Sequence, residues 1–176
     1  MPKIIPDLKE KIITGGRKLL LSGDPKALSL RAISSECGIA VGTVYNYFTG
    51  KDQLIVSVLM DDWLKALDKM QAHSIRAKSF SAGLGNIYDD LVEFVAVYRR
   101  IWNGFSKGTS EKATMHGHHG EFMDQLGNCI TLLANSNKVD IEADERRIIC
   151  ELLLVAVMQD DVTKDSFVKF VCKRIG

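Results

Sequence analysis

The chain has 176 residues, 46% of them hydrophobic and 26% charged, with a formal net charge of +1. That balance supports a continuous core and excludes an intrinsically disordered chain. The longest apolar run, Leu152–Met158, is far below the ~20 residues of a membrane-spanning helix, and the opening MPKIIPDLKEK puts charges and two prolines where a secretory signal would be apolar, so a cytoplasmic protein is expected.

All three prolines fall within the first 25 residues, and no segment alternates with period two, which predicts an all-α chain. The first helix is expected from Pro6 to Ser22, with Leu8, Ile12, Gly16, Leu19 and Leu20 facing inward. Ser29 is suited to cap a short helix over Leu30–Cys37. A turn at Gly38, a second short helix over Val41–Phe48 and a break at Thr49-Gly50 follow. A longer helix is expected from Lys51 to His73, with Ile55, Leu59, Trp63, Leu67 and Met70 on one stripe. Residues 74–82 read as a connection. Leu84, Ile87, Leu91, Val95, Tyr98, Trp102 and Phe105 form the stripe of a central helix. Residues 106–120, rich in Gly, Ser, Thr and His, read as a loop or frayed helix end. Three more helices are expected, over Glu121–Ala134, Glu142–Met158 and Thr163–Arg174.

The informative stretch is Ser29–Leu54, SLRAISSECGIAVGTVYNYFTGKDQL. Leu30, Ile33 and Cys37 share one face of the first short helix. Gly38 allows the left-handed conformation of a sharp turn. Ile39 fills the angle between the helices, and Val44 and Phe48 face the core from the second one. That leaves Ala40, Gly42, Thr43, Tyr45, Asn46 and Tyr47 on the outer side. Hydroxyls suit phosphate oxygens, Asn an adenine edge, and small apolar groups a thymine methyl. Lys51 opens the next helix, where its ammonium and the free backbone N–H groups suit a phosphate. Residues 1–51 hold eight basic and four acidic side chains, a surplus of four, which leaves the rest of the chain at −3. A basic first third on an acidic body fits a DNA-contacting end.

This segment resembles the DNA-binding domain of the TetR family of transcriptional regulators, in which a pattern similar to T-V-R-x-I-A-x-x-A-G-V-S-x-G-T-L-Y-x-Y-F-x-x-K-E-x-L recurs. Leu30-Arg31, Ile33, Gly38, Gly42-Thr43, Tyr45, Tyr47-Phe48, Lys51 and Leu54 fall on it in register. The preceding helix matches in Ile12-Ile13 and Leu19-Leu20, with Gly15-Gly16 where alanines are usual. Ala40 stands where the family most often has Ser, and Val41 where it often has a basic or polar residue, so the recognition helix begins less polar. The resemblance implies DNA contacts from Leu30, Arg31, Ala40, Val41, Gly42, Thr43, Tyr45, Asn46, Tyr47 and Lys51. It implies a helix-turn-helix domain over 1–50 and a helical body over 51–176 for dimerisation and effector binding.

In the body, Trp63, Tyr98, Trp102, Phe105, His119 and Phe122 are candidates to line an effector pocket, with core packing as the alternative for the aromatics. Ile148, Leu152, Val155, Phe167, Phe170 and Val171 are candidates for the interface of a homodimer, because the last two helices have wide apolar faces. His116, His118 and His119, imidazoles within five residues, could in principle coordinate zinc or nickel, but no acidic or cysteine partner has convincing spacing and the flanking glycines suggest a flexible loop, so they read as solvated loop histidines and no metal or cofactor is expected. The four cysteines, Cys37, Cys129, Cys150 and Cys172, are scattered and read as small buried side chains. Asp61-Asp62, Asp89-Asp90 and Asp160-Asp161 read as solvated surface, and no catalytic motif is present. The expected function is a repressor released from a palindromic operator by a small-molecule effector. The alternative is a DNA-attached interaction or architectural protein whose body binds a protein partner.

Overall fold

The computed structural model describes residues 7–22, 28–105, 109–159 and 161–175, with backbone alone over 100–117. Regular structure among them is entirely helical: α1 (Leu8–Ser22), α2 (Leu30–Cys37), α3 (Val41–Tyr45), α4 (Lys51–Arg76), α5 (Phe80–Phe105), α6 (Thr109–Asn137), α7 (Ala143–Met158) and α8 (Lys164–Ile175). The chain divides into two compact units, Met1–Asp62 with Arg99–Met115, and Trp63–Tyr98 with His116–Gly176. The division falls inside α4, twelve residues beyond the expected boundary at 50/51. The physical reason is that the first turns of α4 bury Leu54, Ile55, Val58 and Leu59 in the first unit.

In the first unit α1 buries Leu8, Ile12 and Leu20, while Leu19, expected inside, is half-buried. Its glycine pair sits where helices come closest. A Cβ on Gly15 would lie 2.6 Å from Cys37 Sγ, and one on Gly16 would lie 3.0 Å from a Leu54 methyl. Arg17, on the same helix, binds two adjacent carboxylates of α4. Its Nη2 donates to Asp61, and its Nε lies 2.7 Å from Asp62 Oδ1. The sequence reading of Asp61-Asp62 as solvated surface is therefore corrected: one guanidinium holds both.

In the second unit the predicted stripes are buried as expected: Trp63, Leu67 and Met70 on α4, and Leu84, Ile87, Leu91, Val95 and Tyr98 on α5. Each fully buried aliphatic side chain is worth about 1.5–3 kcal/mol over its exposed form. Leu126, Cys129, Ile130 and Leu133 of α6 join them, with Ile149, Leu153 and Val157 of α7. The Tyr88 hydroxyl donates to the Val162 carbonyl at 2.8 Å, and its ring packs on Phe167. Asp90, expected on the surface, is buried on α5 between two residues of α4. Its carboxylate lies 2.6 Å from His73 Nδ1 and 3.0 Å from Lys69 Nζ. Its neighbour Asp89 pairs with Lys164 at 2.8 Å, and Asp160 lies outside the described residues.

Further boundaries also differ from the sequence reading. The connection expected over 74–82 shrinks to 77–79, because α4 continues to Arg76 and α5 begins at Phe80. The segment over 106–120, read as a loop or frayed helix end, is helical from Thr109 onward. Glycines cost a helix about 1 kcal/mol each. The continuous anchor of Leu126, Ile130 and Leu133 downstream extends α6 through them, since adding a residue to an existing helix is far easier than starting one.

Candidate nucleic-acid interface

The interface is built on α2 and α3. Ser29 caps α2, its hydroxyl accepting from the Ala32 N–H at 3.1 Å. Leu30, Ile33 and Cys37 then bury the inner face. Gly38 ends the helix at φ 64°, and the Ile39 N–H donates to the Ser34 carbonyl at 3.0 Å. A side chain with a Cβ is strained at that φ, which is why glycine stands there. The chain then enters α3 through Ala40, in extended conformation and without a side-chain cap bond.

α3 is shorter than expected, five residues rather than the stretch to Phe48. Its end tightens: the Asn46 N–H donates to the Thr43 carbonyl at 3.2 Å and the Tyr47 N–H to the Val44 carbonyl at 3.0 Å. Val44 and Phe48 are buried as anticipated and hold this element against the unit. The opposite side presents Ala40, Gly42, Tyr45 and Asn46 as exposed residues, with Val41, Thr43 and Tyr47 half-buried. Tyr45, at 59% exposure, is the most open aromatic of the described set. Arg31 is exposed on α2, and Lys51 is half-buried at the first position of α4.

Leu30 is a correction. Only 6% of it is exposed, since it is the first inward residue of α2, so its side chain is core. Sequence reasoning misses Gln53. Its Oε1 accepts from the Thr49 N–H at 2.7 Å and from the Thr49 hydroxyl at 3.2 Å. The visible signal is a glutamine three residues beyond Gly50, where a side chain reaches back over a helix start.

The pocket candidates of the second unit separate. Trp63 is buried, its ring edge-on to Phe94 (5.2 Å between centroids) and to Phe122 (4.9 Å), and its Nε1–H donates to Gln125 Oε1 at 2.6 Å. Tyr98 packs on Phe94 at 5.2 Å, so three of the candidates belong to one aromatic cluster. His119 does not join it. That imidazole is half-exposed, 3.7 Å from Glu151 of α7. The side chains of Trp102, Phe105 and His116 lie outside the described residues. Among those described, no three His, Cys, Asp or Glu side chains are placed to hold a metal.

The interface candidates divide by helix face. Ile148, Leu152, Val155 and Phe170 are exposed. Around Ile148, Leu152 and Phe170 runs a groove of ≈ 260 Å³ that Arg174 also lines. Phe167 and Val171 are corrected to core: they are 4% and 2% exposed because α8 turns that face toward its own unit. All four thiols are free. Burial pushes the Cys129 thiol up to about 12, helped by Cys150 and Asp90, and burial likewise raises Cys150 to about 11. No described helix is long and apolar enough to cross a membrane.

Residues 12–58 match the family described as bacterial regulatory proteins, tetR family. Over 109 residues the chain is 27% identical to an HTH-type transcriptional regulator of Haemophilus influenzae, covering 62% of this chain and 51% of that one. The chain thus spans about half the length of that curated relative. In fold it is similar to a transcriptional regulator of Streptomyces coelicolor, with a TM-score of 0.71 at 13% identity over 97% of this chain and 99% of that one. It is also similar to the regulator FadR of Bacillus subtilis, solved with stearoyl-CoA, with a TM-score of 0.66 at 14% identity over 95% and 99% of the two chains.

Proposed function

From the match of residues 12–58 to the tetR family, we propose that this chain is a cytoplasmic, homodimeric repressor that binds a palindromic operator through the helix-turn-helix, with α3 as its reading element. The observation that carries the reading is the outward face of α3. Gly42, Tyr45 and Asn46 stand exposed on an element pinned from behind by Val44 and Phe48. Gly42 lets the backbone approach DNA closely. Asn46 is suited to an adenine edge and the methyls of Val41 and Thr43 to thymine, while the hydroxyls of Tyr45 and Tyr47 and the ammonium of Lys51 are suited to phosphates. With a two-fold axis, the paired elements would read half-sites about one helical turn (~34–36 Å) apart.

The exposed Ile148, Leu152, Val155 and Phe170 support a second copy docking along α7 and α8, since apolar side chains grouped on one face gain by leaving water. An effector bound in the body would act by favouring the state with the lower DNA affinity. The cluster of Trp63, Phe94, Tyr98 and Phe122 supports an apolar effector, and Gln125 is its nearest polar partner. The stearoyl-CoA held by one protein of similar fold is in keeping with such an occupant.

Tyr47→Ala and Lys51→Ala are expected to weaken binding to every duplex alike. Lys51→Ala should also lower the log–log salt slope by about 0.9, the share of one neutralised phosphate, whereas Tyr47→Ala removes an uncharged hydroxyl and should leave the slope unchanged. Asn46→Ala should instead change base preference across a set of operator variants. A Lys51→Ala salt slope identical to that of the unaltered protein would remove Lys51 from the phosphate-binding set, and unchanged affinity in Tyr47→Ala would remove Tyr47.

A further inference from the structure

We propose that Gln53 is a positioning residue for DNA binding, acting through Lys51. The inference rests on the DNA-binding reading above and concerns the turn between the recognition element and α4. That turn must leave α3 behind Phe48 and start a helix of 26 residues at Lys51. The residue before Lys51 is Gly50, which has no side chain to cap the N-terminus of α4. A glycine at that place also leaves the turn conformationally loose. Gln53 supplies what Gly50 cannot. One oxygen accepts two hydrogen bonds from Thr49, from the backbone N–H and from the hydroxyl.

The orientation of the amide follows from the chemistry. A backbone N–H only donates, so the group facing it must be the oxygen of Gln53 and not its nitrogen. The bond spans Gly50, Lys51 and Asp52, so it fixes Thr49 against the first turn of α4. Lys51 lies inside that closed segment and Tyr47 two residues before it. Closure therefore sets the spacing between the two side chains proposed to meet the DNA backbone. Gln53 itself is exposed, so substitution leaves the core untouched.

The test is a salt series of binding to one mixed-sequence duplex, using the full chain and the variants Gln53→Met, Lys51→Ala and the double variant. Methionine is unbranched like glutamine and lacks the oxygen acceptor. Gln53→Met is expected to lower the salt slope by about 0.9, the share of one neutralised phosphate. Added to Lys51→Ala it should lower the slope no further, because the ammonium it positions is already gone. A Gln53→Met slope equal to that of the unaltered protein overturns the proposal. So does a double variant in which the two decrements simply add, which would place Gln53 on an independent phosphate or in general stability. Absence of salt-dependent binding by the unaltered chain would sink the DNA-binding reading itself, a result distinct from either.

Discussion

Cys129 and Cys150 show how residue-scale chemistry depends on burial. Each thiolate would be charged inside an apolar layer, and desolvation holds both protons far above the ordinary thiol range. The folded protein keeps these protons above pH 9 while the unfolded chain releases them, so unfolding is favoured as pH rises. The thiols' contribution to stability should thus be level below about pH 9 and fall progressively toward pH 12 in urea melts. Cys129→Ala with Cys150→Ala should flatten that alkaline decline, at the cost of a less filled core; an unchanged pH profile would remove the thiols as its cause. Their burial is legible in the apolar helical pattern around them. The partners of charged residues are not, because Asp61, Asp62 and Asp90 bind groups 17 to 45 positions away, and spacing along one helix contains no information about its neighbours.

The elements differ in how completely local sequence decides them. α2 is fully legible: Ser29 starts it, Gly38 stops it and three apolar side chains face inward. The short α3 reads too long, since nothing in Asn46-Tyr47 forbids another turn and the tightened bonds there arise from how Phe48 must reach the core. The start of α6 misleads for the opposite reason, as glycine-rich composition argues against a helix that tertiary anchoring extends. Close approach between α5 and α6 is equally hidden from composition. A Cβ on Gly83 would overlap a Leu133 methyl and lie 2.8 Å from Ala77 Cβ. Leu133 is fully buried and has no room to retreat. Gly83→Ala should therefore destabilise the protein by about 1–3 kcal/mol in chemical denaturation, despite the better helix propensity of alanine. A neutral or stabilising result would show that α5 and α6 separate easily.

For the whole molecule the decisive surface is the apolar face of α7 and α8. Ile148 and Phe170 are each more than half exposed, at 57% and 51%, a poor arrangement for a chain that remains alone in water. Leu152→Glu places a charge beside both and, in the proposed homodimer, should convert dimers to monomers in sedimentation, with little loss of helix content because the residue lies outside the core of its own unit. An unaltered dimer would move the interface elsewhere. Sequence periodicity identifies four of the six residues proposed for this face. It cannot separate Phe167 and Val171 from them, since a helix apolar over a wide arc does not say which side its own fold claims.

The passage of α4 from one unit into the other has a practical consequence for recombination. Regulators with new input–output pairings are commonly sought by joining the head of one to the body of another. A splice at 50/51 would provide the head without Leu54, Ile55, Val58 and Leu59, and would strand Arg17 without Asp61 and Asp62. The first unit runs to Asp62 and also takes in Arg99–Met115, so a transplant of this unit must include both segments.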